Sequence, residues 1–139
     1  MIPELTFDAE THTYVYDGKE VPSVTQILKA ANMIDLNVWM TDWHLTRGRY
    51  IHKATELWDL GILDMDKLDP QIEGYVRSYI SFRQATPYYI IQNVDNIEQR
   101  VYHARLGYAG TLDREVLVNQ CHSIVDYKSG QPEPWHGVQ

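Results

Sequence analysis

Apolar and polar positions alternate along the first part of the chain. There Thr13-Tyr14-Val15-Tyr16, followed by Asp17-Gly18, predicts a hairpin over residues 7–21. Pro22 ends the return strand, and Ser23 with Gln26 three residues on opens a short helix through Ile27, Leu28 and Ala31. The period then lengthens. A second helical region is predicted over residues 36–60, interrupted by Gly48 and closed by Gly61. Pro70 begins a third helix, over residues 71–84, which places Ile72, Tyr75, Val76, Tyr79 and Phe82 on one face before Pro87 stops it. Beyond Pro87 the period shortens to two, predicting strands over residues 88–94, 97–103, 108–118 and 122–127, then a loop marked by Pro132 and Pro134. Hairpin, helices and then a sheet predict one mixed α/β or α+β domain over residues 1–139. Its parts are an amino-terminal hairpin and short helix (1–34), a helical region (35–87) and a sheet (88–139).

Composition narrows this picture. A chain of 139 residues that is 44% hydrophobic can bury a core and is not a disordered tract. Its formal net charge of -7 argues against a simple nucleic-acid coat protein, so any DNA contact would use local basic groups such as Arg47, Arg49 and Lys53. The one cysteine, Cys121, excludes an internal disulfide and a cysteine-ligated iron–sulfur cluster. With no signal peptide and no long apolar run, the chain reads as soluble, cytoplasmic and without a membrane partner.

The chemistry concentrates in Gly110-Thr-Leu-Asp113 and Asp126-Tyr127-Lys128. Asp113 is expected to close one strand and residues 114–123 to return through Asn119-Gln120, bringing Asp113 within reach of Asp126. Alternation then sets Asp126 and Lys128 on one face and Tyr127 on the other. Two adjacent carboxylates repel unless a divalent cation neutralises them, and Mg²⁺ is commonly held by one or two carboxylates plus phosphate oxygens. A neighbouring lysine can orient a water or offset developing charge. The same residues also suit a salt-bridged hairpin. His52 and Glu56 share a helix face, as ligand and support or as a solvated pair. Gly48, between Arg47 and Arg49, marks a close backbone approach or a helix start. Glu98 could complete a metal shell or pair with Arg100 or Arg114.

Other patterns carry less. Asp64-x-Asp66-x-x-Asp69 has Asp69 and Tyr75 where a calcium loop needs glycine and glutamate, so these aspartates read as a turn and a helix cap. His12, His44, His103, His122 and His136 share no ligand spacing. Trp39, Trp43, Trp58 and Tyr88-Tyr89 read as packing. Gly107-x-x-Gly110 is too short for a phosphate loop.

Taken in order, Gly48-x-x-x-His52, Glu98, Gly110-Thr-Leu-Asp113 and Asp126-Tyr-Lys128 resemble the PD-(D/E)xK nuclease superfamily. More narrowly they resemble its RecB-type and phage exonuclease branch, which includes mitochondrial genome maintenance exonuclease. Thr11-His12-Thr13-Tyr14, Asp17-Gly18 and Pro22-Ser-Val-Thr-Gln-Ile-Leu28 are similar to the opening of phage-encoded members. The resemblance implies a restriction-endonuclease-like core, a central mixed sheet flanked by helices, acting on DNA with Mg²⁺ or Mn²⁺. It makes Asp113 and Asp126 metal-binding acids, joined by the Tyr127 carbonyl and by His52, and Lys128 the residue that positions the attacking water. Glu98 matches an upstream acid, Glu56 a supporting residue, and Ser129 and Gly130 phosphate contacts. Relatives continue with a helix bearing Gln-x-x-x-Tyr and a further strand, and Gln139 stands where that glutamine would be. The last helix and strand of the core are therefore expected to be missing, with a completing chain or a homo-oligomer in their place. The leading expectation is an exonuclease. Its alternatives are a non-catalytic nuclease-fold module that binds DNA or a protein, and an unrelated α+β domain whose carboxylates are surface charge.

Overall fold

The computed structural model describes residues 3–34 and 42–130. Helix and strand are both present, giving a mixed α+β fold with two antiparallel sheets. Trp39, Pro132, Pro134, His136 and Gln139 lie outside the described residues.

The predicted hairpin gains a third strand. Strands β1 (Leu5–Asp8), β2 (Thr13–Tyr16) and β3 (Lys19–Val21) form an antiparallel sheet in that order. Tyr16 pairs with Lys19 across Asp17 and Gly18, whose φ values of 50° and 76° are those of a two-residue turn matched to strand twist. Ser23 then caps α1 (Val24–Ala30) reciprocally: its Oγ accepts from the Gln26 N–H at 3.1 Å, and Gln26 Oε1 accepts from the Ser23 N–H at 2.9 Å.

Helix α2 spans Asp42–Asp59 and runs unbroken through Gly48, contrary to the predicted interruption. A Cβ at Gly48 would meet Ser129 Oγ at 3.8 Å, an ordinary contact, so packing does not demand glycine there. The helix does end at Gly61, at φ 74°, where the Ile62 N–H reaches the Leu57 carbonyl at 2.9 Å. Helix α3 (Pro70–Ala85) starts where predicted, with Pro70 in its first turn and Asp69 accepting from the Gln71 N–H at 2.8 Å. Of its predicted apolar face, Ile72, Val76 and Tyr79 are buried while Tyr75 and Phe82 stay exposed at the flanks. Ile51 and Ala54 of α2 pack against Ile72 and Val76. Each large side chain buried in this way contributes about 1.5–3 kcal/mol.

The second sheet is built on β6 (Tyr108–Val118), which lies between β4 (Tyr89–Ile90) and β5 (Ile97–His103) and also pairs with β7 (Cys121–Val125). The β4–β6 and β6–β7 ladders are antiparallel, and the parallel pairing among the described residues is an isolated bridge between Ser23 and Ala109. The strand predicted over 88–94 shrinks to two residues because Asn93 caps a 3₁₀ turn, accepting from the Asp95 N–H at 3.0 Å. Asp113 lies inside β6 rather than at its end. Strand β7 stops at Val125, two residues short of the prediction.

The described residues fall into two compact units, one of residues 3–34 and 99–112, the other of residues 42–98 and 113–130. In the first, the Tyr14 hydroxyl lies 2.7 Å from Thr111 Oγ1, Tyr16 stacks on Tyr102, and a Cβ at Gly110 would press Val24 at 3.2 Å. No helix among the described residues is long and apolar enough to cross a membrane.

Candidate metal centre

The second unit alone supplies every side chain of the site. His52 comes from α2, Glu98 from the start of β5, Asp113 from β6, and Asp126 to Lys128 from the segment after β7. One ligand atom from each of His52, Glu98 and Asp113 lies within 4.8 Å of the other two, a spacing that one metal ion can bridge. His52 Nδ1 is 3.4 Å from Asp113 Oδ1 and 3.8 Å from Glu98 Oε1. Its other ring nitrogen, Nε2, is 3.0 Å from the Tyr127 carbonyl. That carbonyl, expected as a ligand, therefore serves to orient the imidazole.

Local backbone explains the convergence. Glu98 has φ 50°, a left-handed conformation that is costly for a side chain with a Cβ and turns Glu98 out of simple strand alternation. The Tyr127 N–H donates to Asp113 Oδ2 at 2.6 Å. A carboxylate thus takes the donor that would have extended the ladder, which is why β7 ends before Asp126. Asp126 follows the last rung, Arg114 opposite Val125, and Lys128 Nζ lies 2.7 Å from Asp126 Oδ2, so the two acids and the lysine meet as the sequence predicts.

The charges act on one another. Burial alone would depress His52, but hydrogen bonds and the negative charges of Asp113 and Glu98 push it up to about 10. Asp113 feels burial raising it, yet His52 and the Tyr127 N–H hold it below the usual carboxylate range. Asp126 moves the other way: burial and the charge of Asp113 raise it more than Lys128 lowers it. Two carboxylates, Asp113 and Glu98, thus face one imidazole, with the cations of Arg114 and Lys128 held against Glu98 and Asp126. Carboxylate oxygens with one imidazole nitrogen are a donor set that could hold a metal ion.

Beneath the site lies a polar network with a weaker sequence signal. Asp59 and Arg114 side chains have no exposure, and Arg114 Nε donates to Asp59 Oδ2 at 2.8 Å. The same guanidinium donates to Glu98 Oε1 at 3.3 Å, to the Asp113 carbonyl at 2.6 Å and to Thr55 Oγ1 at 3.4 Å. Of the two readings of Glu98, pairing with Arg114 is thus realised beside the potential metal shell. The Tyr79 hydroxyl donates to Asp59 at 2.6 Å, Arg83 reaches it at 3.2 Å, and Tyr79, Tyr89 and Tyr127 join through their hydroxyls. Thr55 and Asp59 stand three and seven residues beyond His52, so a helical projection centred on His52 would have found them.

Several predicted members stand apart. Glu56 is held by Lys53 at 3.0 Å, Arg49 is exposed, and Gln139 lies outside the described residues. Ser129 lines a cavity beside the site. Trp43, predicted to pack, is exposed, as is Tyr88, while Tyr89 is buried.

Comparison with known proteins yields no matching family model, no matching curated protein and no matching solved structure.

Proposed function

We propose that the chain is a metal-dependent DNA nuclease of the PD-(D/E)xK type, hydrolysing phosphodiester bonds and working as an exonuclease. The observation that carries this reading is the convergence of His52, Glu98 and Asp113 within 4.8 Å, with Asp126 and Lys128 alongside. His52, Glu98, Asp113 and Asp126 would hold Mg²⁺ or Mn²⁺. When bound, such an ion polarises the phosphate and makes water a better nucleophile at neutral pH. Lys128, paired with Asp126, would orient that water and offset charge developing on the phosphate. The Tyr127 N–H fixes the Asp113 carboxylate, and the Tyr127 carbonyl fixes the His52 ring. The restriction-endonuclease-like core belongs to the same proposal.

One observation favours a second reading, a non-catalytic nuclease-fold module that binds DNA or a protein. His52 is paired with Asp113 and Glu98, and Lys128 with Asp126, so these charges balance one another without an ion. Calorimetric titration with Mn²⁺, with and without DNA, separates the two. The nuclease reading expects saturable binding in the wild type, lost in Asp113→Ala and Asp126→Ala. It also expects Mn²⁺-dependent DNA degradation that falls about 10²–10⁴-fold in Lys128→Ala. DNA retained without saturable metal binding or cleavage would select the module instead.

A further inference from the structure

We propose that the Tyr127 hydroxyl, held between the hydroxyls of Tyr79 and Tyr89, is the positioning device that sets the spacing of the metal centre. This rests on the metal-dependent reading of that site and assigns the residue that aligns it. The backbone of Tyr127 touches two of the three clustered ligands: its N–H donates to Asp113 Oδ2 at 2.6 Å, and its carbonyl lies 3.0 Å from His52 Nε2. Exposure alternates through the segment, so Asp126 and Lys128 face outward while the Tyr127 ring points in. Whatever holds that ring therefore holds four groups at once: the Asp113 carboxylate, the His52 imidazole and the two charged side chains that flank Tyr127.

The ring is held by a chain of hydrogen bonds that has one direction. A phenol has a single proton to donate. Tyr79 gives its proton to Asp59 Oδ2 at 2.6 Å, so across the 3.0 Å to Tyr127 it accepts and Tyr127 donates. With its proton on Tyr79, Tyr127 accepts in turn from Tyr89. The order is fixed from the Asp59 end, where Arg114 Nε at 2.8 Å and Arg83 Nε at 3.2 Å keep the carboxylate in place. Burial raises all three phenols above their usual range, so the chain keeps its protons and its direction. Tyr79 meets the Tyr127 ring edge-on at 4.9 Å between centres, and the Arg114 guanidinium lies 5.1 Å from it. Packing alone would accept phenylalanine at this position. The hydroxyl adds a fixed depth and rotation, set by α3 and β4, elements outside the ligand cluster, and the main chain behind the ring passes that setting to the ligands.

Three readouts test this: Mn²⁺ affinity by calorimetry, alone and with a deoxynucleoside 5′-monophosphate; kcat and KM on DNA; and amide hydrogen exchange in the metal-free protein. Tyr127→Phe removes the hydroxyl and keeps the ring. It should weaken Mn²⁺ binding about 10- to 100-fold and lower kcat by a similar factor with KM unchanged. Without metal, exchange of the Tyr127 amide should quicken about fivefold relative to the β6–β7 ladder, because its bond to Asp113 loosens. The same variant leaves the Tyr89 hydroxyl without its acceptor, a loss of stability that adding Tyr89→Phe removes. The double variant should therefore recover resistance to urea and still bind Mn²⁺ weakly. Affinity that returns with stability, or a folded Tyr127→Phe with wild-type affinity and an unmoved Tyr127 amide, overturns the inference and reduces the chain to packing. A wild type that binds Mn²⁺ without cleaving DNA, with affinity still lost in Tyr127→Phe, refutes the nuclease reading and leaves this inference standing. No Mn²⁺ binding by the wild type in either titration sinks both.

Discussion

Helix α2 presents two faces of opposite chemistry to its surroundings. Ile51 and Ala54 meet Ile72 and Val76 in an apolar contact, whereas His52, Thr55 and Asp59, one residue round the helix, enter a network of charges and hydrogen bonds. The first face needs only the right volume, and its losses are graded. The second has committed an ion pair to a place without water, so its losses are asymmetric: removing both partners can be mild, removing one is severe.

That contrast can be broken or sharpened. Asp59→Ala strands Arg114 and should cost about 3–5 kcal/mol in urea unfolding, against about 5–15 kcal/mol available to an ordinary domain. Replacing Asp59 and Arg114 together with leucine and methionine should recover most of that loss. If the single and double replacements cost the same, the network is ordinary packing. On the apolar face, Ile51→Val should cost about 0.5–1.5 kcal/mol by the same measurement, and a much larger loss would erase the distinction between the faces. Gly48→Ala should have the smallest effect, a gain of up to about 1 kcal/mol, since the new Cβ meets Ser129 at ordinary contact distance. A loss there would restore the close-approach role that the sequence suggests.

What could be read from the chain divides along the same line. Signals confined to a few neighbours came through: the Ser23–Gln26 capping box, the Asp17-Gly18 turn, Pro70 opening α3, and the meeting of Asp126 with Lys128. The convergence of Asp113 with Asp126 was legible because one short hairpin joins them. Arg114 was not, because arginine usually reads as surface and its partners Thr55 and Asp59 lie 59 and 55 residues away. The left-handed Glu98 gives no sign in a segment whose alternation is regular, and Tyr75 belongs to a stripe that periodicity assigns to the core. Periodicity identifies a face of a helix but says nothing of what the rest of the fold sets opposite it.

The turn between β6 and β7 carries more than a change of direction. Asn119 and Gln120 have φ values of 49° and 66°, and from Val118 opposite Cys121 the ladder runs in register back to Arg114 opposite Val125. Asp126 is the next residue, so its meeting with Asp113 is reached by counting rungs from that corner. The turn is the gauge against which the acids are aligned. One residue added there would leave a hairpin able to form but exchange its two sides, sending Val125 where Asp126 belongs. Drift in loop length can thus be absorbed elsewhere in the chain, while at this corner a change of one is enough to dismantle the centre.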